Sequence, residues 1–507
     1  MKKMQLTMLM VLLFIVASSA TVTAQDLSSF EKKVTTFTLD NGLRFIIIKR
    51  DVAPVASFVS FVNAGSVNEP LGKSGEAHVF EHMAFKGTQT IGTTDWEKEK
   101  PVLAEEDRAY EKWFRSTLQP QPDSAKSKQE WSRFKELEAE AKTYVKNNEF
   151  SQIIDRNGGV GMNASTGSDQ TIFYYSLPEN RAELWFSTES DRFMHPVFRE
   201  FYKEKDVIME ERRMRTDSRP LGRLIEEFLS VAYTASPYGT PVIGWPSDIK
   251  STTIADVQDF YNKYYVPANI VMAIAGDVDP AQMKKWAEEY FGRMPKKPDA
   301  PLMTIREPEQ YGERRFVIHE NSQPWYLAGY HTVSAENPDA KPLQLLASIL
   351  SDGRTSRLYK NMVEDKQVAL NVGAFNGFPG DKYQSMFLTY VVPNQGVSID
   401  TVEAIMDQEI ENIKEHGVTR AELDRAITNA RASLVRSLNS NMGMALALAQ
   451  AQAQRGDWRT VFTDLDALAK VTSAEIQRVA QKYLVTSNRT VGIIEPKQNA
   501  AATAGAN

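Results

Sequence analysis

Apolar and polar positions alternate over residues 36–48 in two β-rich runs broken at Asp40-Asn41-Gly42, a pattern that predicts a hairpin. Residues 55–64 are apolar almost throughout, which predicts a strand covered on both faces. Further strands are predicted at 158–166 and 170–178, and at 266–277, where an apolar run closes on Gly276-Asp277. Residues 181–211 and 253–264 read as helices, with Pro196 dividing the first stretch in two. Beyond the proline-rich segment 292–301 the order repeats in outline. Strands are predicted at 315–319 and 325–331, then helices at 341–350 and 357–363.

One segment breaks the rhythm. Residues 96–148 are heavily charged and helix-favouring, and Gln119-Pro120-Gln121-Pro122-Asp123 cuts them in two. They predict a helical hairpin, either a lid or partner contact, or a solvated surface arm.

At 507 residues the chain exceeds what one core organises, so two or more domains are expected. The expected division is 25–295, a linker at 296–310, a second domain at 311–495 and a disordered polar tail at 496–507. Residues 1–24 stand apart: Lys2 and Lys3 precede an apolar run, and small residues end at Ala24. That is the pattern of a secretory signal peptide cleaved after Ala24, and it implies a periplasmic or secreted protein with no membrane span in its mature form. There is no cysteine, so the core must hold without disulfides. A net charge of −6 and the lack of a basic-aromatic stripe argue against nucleic acid.

The chemistry concentrates at His78-Val79-Phe80-Glu81-His82. Two histidines four apart on a helix share a face, where both imidazoles reach one ion, and Glu81 borders that face without having to be a ligand. Ser74 is the expected N-cap of this helix and Gly87 its C-terminal stop. His319, His331 and His416 are isolated and are not expected to bind metal.

The segment Gly75-Glu-Ala-His-Val-Phe-Glu-His-Met-Ala-Phe-Lys-Gly-Thr88 resembles the active-site signature of the pitrilysin/insulinase family of zinc peptidases. Further matches run from about residue 36 to about residue 490, among them Gly158-Gly159 with Asn163-Ala164-Ser165-Thr166. The resemblance implies an α/β fold: two related domains, each a mixed sheet packed with helices, together half of a clamshell. It implies Zn²⁺ held by His78, His82 and a downstream glutamate, with Glu81 as the general base. Family members carry a second glutamate seven residues before that ligand, and Glu204 and Glu211 have this spacing. Seven residues are about two turns, so both lie on one face, whereas Glu210 points about 100° away. Glu211 is therefore the expected ligand and Glu204 the residue that orients a ligand histidine. Asn163 and Ala164 fall on the strand with which the family pairs extended substrate. The 96–148 segment reads as an insertion, because it is usually much shorter in the family.

The implied activity is a zinc-dependent endopeptidase acting on extended peptides or unfolded polypeptides. A non-catalytic peptide-binding or scaffolding subunit is the rival reading, against which the intact motif argues. Metal storage without hydrolysis is a third, and it gives Glu81 nothing to do. After Ser356-Arg357-Leu358-Tyr359, substrate-gripping relatives carry an arginine and a tyrosine where this chain has Val363 and Leu370. The expected partner is therefore a related subunit that keeps this pair, forming a heterodimer; a homodimer is the alternative.

Overall fold

The computed structural model describes residues 30–121 and 123–497; the expected signal peptide at 1–24 and residues 498–507 of the expected tail lie outside the described residues. Among the described residues eleven strands form two sheets: β1 (Val34–Thr38), β2 (Arg44–Lys49), β3 (Val55–Val62), β4 (Val160–Thr166), β5 (Thr171–Pro178), β6 (Ile270–Gly276), β7 (Arg314–Glu320), β8 (Trp325–His331), β9 (Ala369–Phe378), β10 (Met386–Pro393) and β11 (Arg489–Pro496). The first sheet has the order β1-β2-β6-β3-β5-β4 and the second β7-β11-β8-β10-β9. Six helices matter below: α1 (Glu76–Met83), α2 (Trp96–Thr117), α3 (Ser124–Lys142), α4 (Phe201–Arg212), α5 (Pro220–Ala232) and α6 (Asn441–Arg455). The protein is thus a mixed α/β fold of two domains, as the resemblance implies.

The expected hairpin forms between β1 and β2, with Gly42 at φ +98° in its turn, where a side chain would be strained. β3 and β6 lie inside the sheet and are buried along nearly their whole length, which explains their unbroken apolar pattern. β4 is different. It pairs only with β5, so its other edge is free.

Each sheet is covered on one face by helices of its own half. The other face is covered by a helix from the opposite half. Met444, Ala445 and Leu448 of α6 pack on Val59, Phe61 and Val271 of the first sheet. Leu224 and Phe228 of α5 pack on Leu327, Leu388 and Ile494 of the second. Glycine makes the second contact possible: a Cβ on Gly329 would lie 2.7 Å from the Phe228 ring. Each fully buried Leu or Phe in these contacts contributes about 1.5–3 kcal/mol, enough to fix the two halves against each other. Asp169 adds a polar tie, accepting from the Tyr238 hydroxyl at 2.8 Å and from the backbone N–H groups of Asp381 and Lys382.

Candidate metal centre

β3 leads through a short loop into α1. The expected cap on Ser74 is not found: Gly75, at φ +93°, occupies the N-cap position. The Ser74 hydroxyl instead donates to Asp248 at 2.6 Å and accepts from the Trp245 N–H at 2.8 Å. The open N–H groups of the helix start are met by Glu69, whose carboxylate accepts from Gly75 and Ala77 at 2.9 and 2.8 Å. A Cβ on Gly75 would lie 2.9 Å from the Ile243 carbonyl oxygen, so the backbone approach there excludes a larger residue. Gly87, at φ +96°, does turn the chain after the helix. One face of α1 is buried through Ala77, Phe80 and Met83, with Phe80 against Tyr261 and Tyr265. The other face presents His78, Glu81 and His82 to a cleft of about 1130 Å³.

α4 brings the two glutamates to this face. The Glu211 Oε2 lies 3.3 Å from His82 Nε2 and 3.7 Å from His78 Nε2, while Glu204 Oε1 is 2.8 Å from His82 Nδ1. His78, His82 and Glu211 are the one group of three among the described residues whose donor atoms could share a metal ion, all within 4.8 Å of one another. Glu210 turns away, as its place on the helix requires, and is bound by both arms of Arg213 at 2.7 and 2.6 Å.

The electrostatics of the cluster fit a bound cation. Burial alone would lower His82, but the carboxylates of Glu204 and Glu211 raise it to about 9. His78 is lowered to about 4 by burial and by the charge on His82. Burial would raise Glu204, yet its bonds to His82 and Lys86 bring it down to about 2. Positive charge is thus drawn into the space between three converging donor atoms, where a divalent ion would displace a proton. The donor set of two imidazoles and one carboxylate is the kind that zinc takes. Glu81 is set apart from the donors: burial raises its affinity for a proton, and Thr166 donates to its Oε2 at 2.5 Å.

Asn163 and Ala164 stand on β4 and line the same cleft, beside the free edge of the sheet. All the residues that line it lie between His78 and Ile243.

The model for the insulinase peptidase family matches residues 44–100, and that for the peptidase M16 inactive domain matches residues 251–430. The chain belongs to the insulinase (M16) peptidase family. This insulinase-family chain is 26% identical over 480 residues to the zinc protease PqqE of Helicobacter pylori, covering 92% of this chain and 94% of PqqE. Its fold is similar to the crystal structure of a protease from Helicobacter pylori, with a TM-score of 0.76, 25% identity and coverage of 92% and 99%. It is also similar in fold to the first half of the periplasmic protease PqqL from Escherichia coli, with a TM-score of 0.67, 17% identity and coverage of 94% of each chain.

Several residues of this insulinase-family site escaped the sequence reading. Lys86, whose Nζ is 2.5 Å from Glu204, and Arg215, whose guanidinium is 2.7 Å from Glu211 Oε1, each stand four residues after a site residue. For Arg215, which pairs with the residue four before it, that spacing is a signal the sequence already contains; Lys86 lies past the end of α1 and pairs with a different helix. Thr166 falls in the Asn163-Ala164-Ser165-Thr166 match, but no local spacing shows that it holds Glu81, 85 residues away.

The 96–148 segment forms the expected helix pair, α2 and α3. No described residue of either helix lines the cleft, although Asn148 at the end of the segment does, and the pair packs on the body of the protein instead of standing free as a solvated arm. Phe134 and Glu106 are buried, Tyr110 stacks on Tyr202 of α4 with ring centroids 3.7 Å apart, and Glu99 makes a buried pair with Arg199 at 2.6 Å. Arg199 also donates to the carbonyls of Lys86, Thr88 and Ile91, which follow α1. One buried guanidinium therefore joins the insertion to the approaches of both helices that carry the site.

In the second half the His331 Nε2–H donates to the Ala232 carbonyl of α5 at 3.0 Å, and His319 and His416 lie beside Glu495 and Glu415. Val363 packs against the second core, and Leu370 on β9 is 59% exposed.

Proposed function

We propose that the chain is a zinc-dependent endopeptidase that cleaves peptides in an extended conformation. The observation that carries this reading is the meeting of His78, His82 and Glu211 in a cleft that also holds Glu81 and a free sheet edge. His78 and His82, each through Nε2, and Glu211, through Oε2, would hold the ion. When bound, zinc supplies a Lewis acid that acidifies water and polarises a carbonyl. Glu204 accepts the Nδ1–H of His82, which fixes the tautomer that leaves Nε2 free as a donor to the metal. Thr166 occupies one oxygen of Glu81, leaving the other to take a proton from the attacking water and return it to the departing amine. The raised proton affinity of Glu81 suits both steps. An extended substrate adds to β4 beside Asn163 and Ala164, where main-chain hydrogen bonds hold it whatever its sequence.

The cleft is one-sided, since no described residue of the second half lines it and the exchanged helices hold the halves in place. A second two-domain chain would close it. The Val363 and Leu370 positions favour an unlike partner over a second copy, because neither side chain can hydrogen-bond a peptide. The leader-like residues 1–24 support a periplasmic or secreted location, as the name of PqqL states for that protein. Among the described residues no helix is long and apolar enough to cross a membrane. Proteolysis of a quenched extended peptide by the zinc-loaded protein, alone and with a related subunit, tests the reading. Metal binding without hydrolysis in both arms would favour the non-catalytic alternative.

A further inference from the structure

The carboxylate of Glu211 is divided between two neighbours. Its Oε2 faces both imidazoles, at 3.3 and 3.7 Å, and its Oε1 is paired with Arg215 at 2.7 Å. The arginine reaches it from the turn that follows α4. Residues Arg213–Asp217 widen into a π-helical turn, closed by the Ser218 N–H on the Arg213 carbonyl at 2.8 Å. Such turns often re-aim side chains at functional sites. The adjacent pair shows the selectivity of the arrangement: Arg213 is spent on Glu210, away from the imidazoles, so Arg215 alone serves Glu211. Arg215 lines the cleft and its side chain is 71% exposed, so it belongs to the mouth of the site and not to the core.

We propose that Arg215 is a positioning residue that keeps Glu211 a one-oxygen ligand, and so keeps a coordination place open for water and substrate. The inference rests on the zinc-site reading above. A carboxylate can offer a small ion one oxygen or two, and a catalytic zinc needs three protein donors and a vacancy. With Oε1 engaged by a guanidinium, only Oε2 is free to turn to the metal. Without that partner, Glu211 can rotate to give both oxygens and fill the vacancy. The pair is too exposed to matter much to folding. Its effect should therefore fall on coordination and turnover.

The test uses the protein loaded with Co²⁺, whose visible absorption is strong in four-coordinate sites and weakens as a fifth donor enters. Arg215→Gln should bind the ion in the same stoichiometry and melt at the wild-type temperature. It should show a weakened, shifted visible band and a kcat on the zinc form lower by roughly tenfold with KM little changed. Arg215→Lys, which restores the charge, should recover most of both. A wild-type spectrum in Arg215→Gln overturns the proposal, whether kcat is unchanged or falls, since a fall alone would mean that Arg215 acts on the substrate. Failure of the wild-type protein to bind Co²⁺ or Zn²⁺ would instead overturn the zinc-site reading beneath it.

Discussion

The two halves of the chain are built alike and differ in what they do with the design. In the first, β2 runs parallel to β6, and β6, β3, β5 and β4 follow antiparallel. In the second, β7 runs parallel to β11, and β11, β8, β10 and β9 follow in the same senses. The helix after β3 shows two imidazoles and a carboxylate to a cleft. The first helix after β8, residues Ala340–Ser351, instead buries Leu343, Leu346 and Leu350 in the second core. One architecture thus carries the candidate chemistry in one copy and only packing in the other. What a half can do is decided by a few side chains on facing helices, not by its sheet.

The sharpest way to break this comparison is to remove an imidazole. His78→Ala or His82→Ala should take zinc from about one per chain to almost none, measured by metal analysis of the purified protein. The matching change in the other half, Leu346→Ala, should leave zinc untouched and cost about 2–5 kcal/mol of stability. Glu81→Gln should retain the metal and lower kcat by about 10²–10⁴-fold, because it removes the base without removing a ligand. Normal turnover in that variant would end the role assigned to Glu81.

The next contrast lies within α4. Glu211→Gln should weaken zinc binding far more than Glu210→Gln, as read by competition with a chelator. The opposite ranking would mean that the wrong carboxylate has been assigned. Glu204→Gln should fall between them, at about 10–100-fold in affinity or activity.

The smallest effect concerns the insertion, which has no counterpart in the second half. Glu106 is 4% exposed, and burial, then the nearby Glu138 and Asp107, push it up to about 7. Its folded value lies above the unfolded one of about 4.3, so the stability linked to it is full below pH 4.3 and is lost as pH rises through 7. Glu106→Gln should accordingly stabilise the protein by about 1–2 kcal/mol at pH 8 and by almost nothing at pH 4, in paired thermal melts. An equal gain at both values would show that the carboxyl does not titrate in this range.

The sequence was most informative where one element determines the answer. The spacing of His78, Glu81 and His82 sets their common face, and seven residues set Glu204 and Glu211 on another, because helical geometry is local. The unbroken apolar runs of β3 and β6 likewise announced strands buried on both faces. The same logic holds for Arg215, four residues from its partner Glu211, although its role became visible only beside the cluster. Contacts between distant elements left no such trace. That Glu69 and not Ser74 serves the start of α1, that Thr166 holds Glu81, and that the insertion packs on α4 through Tyr110 and Arg199 depend on how separate surfaces meet. So does the exchange of α5 and α6 between the sheets, for which an amphipathic pattern states that a face must be covered but not by what. Periodicity orients residues within a helix or strand; only packing, which brings together groups hundreds of residues apart, chooses their neighbours.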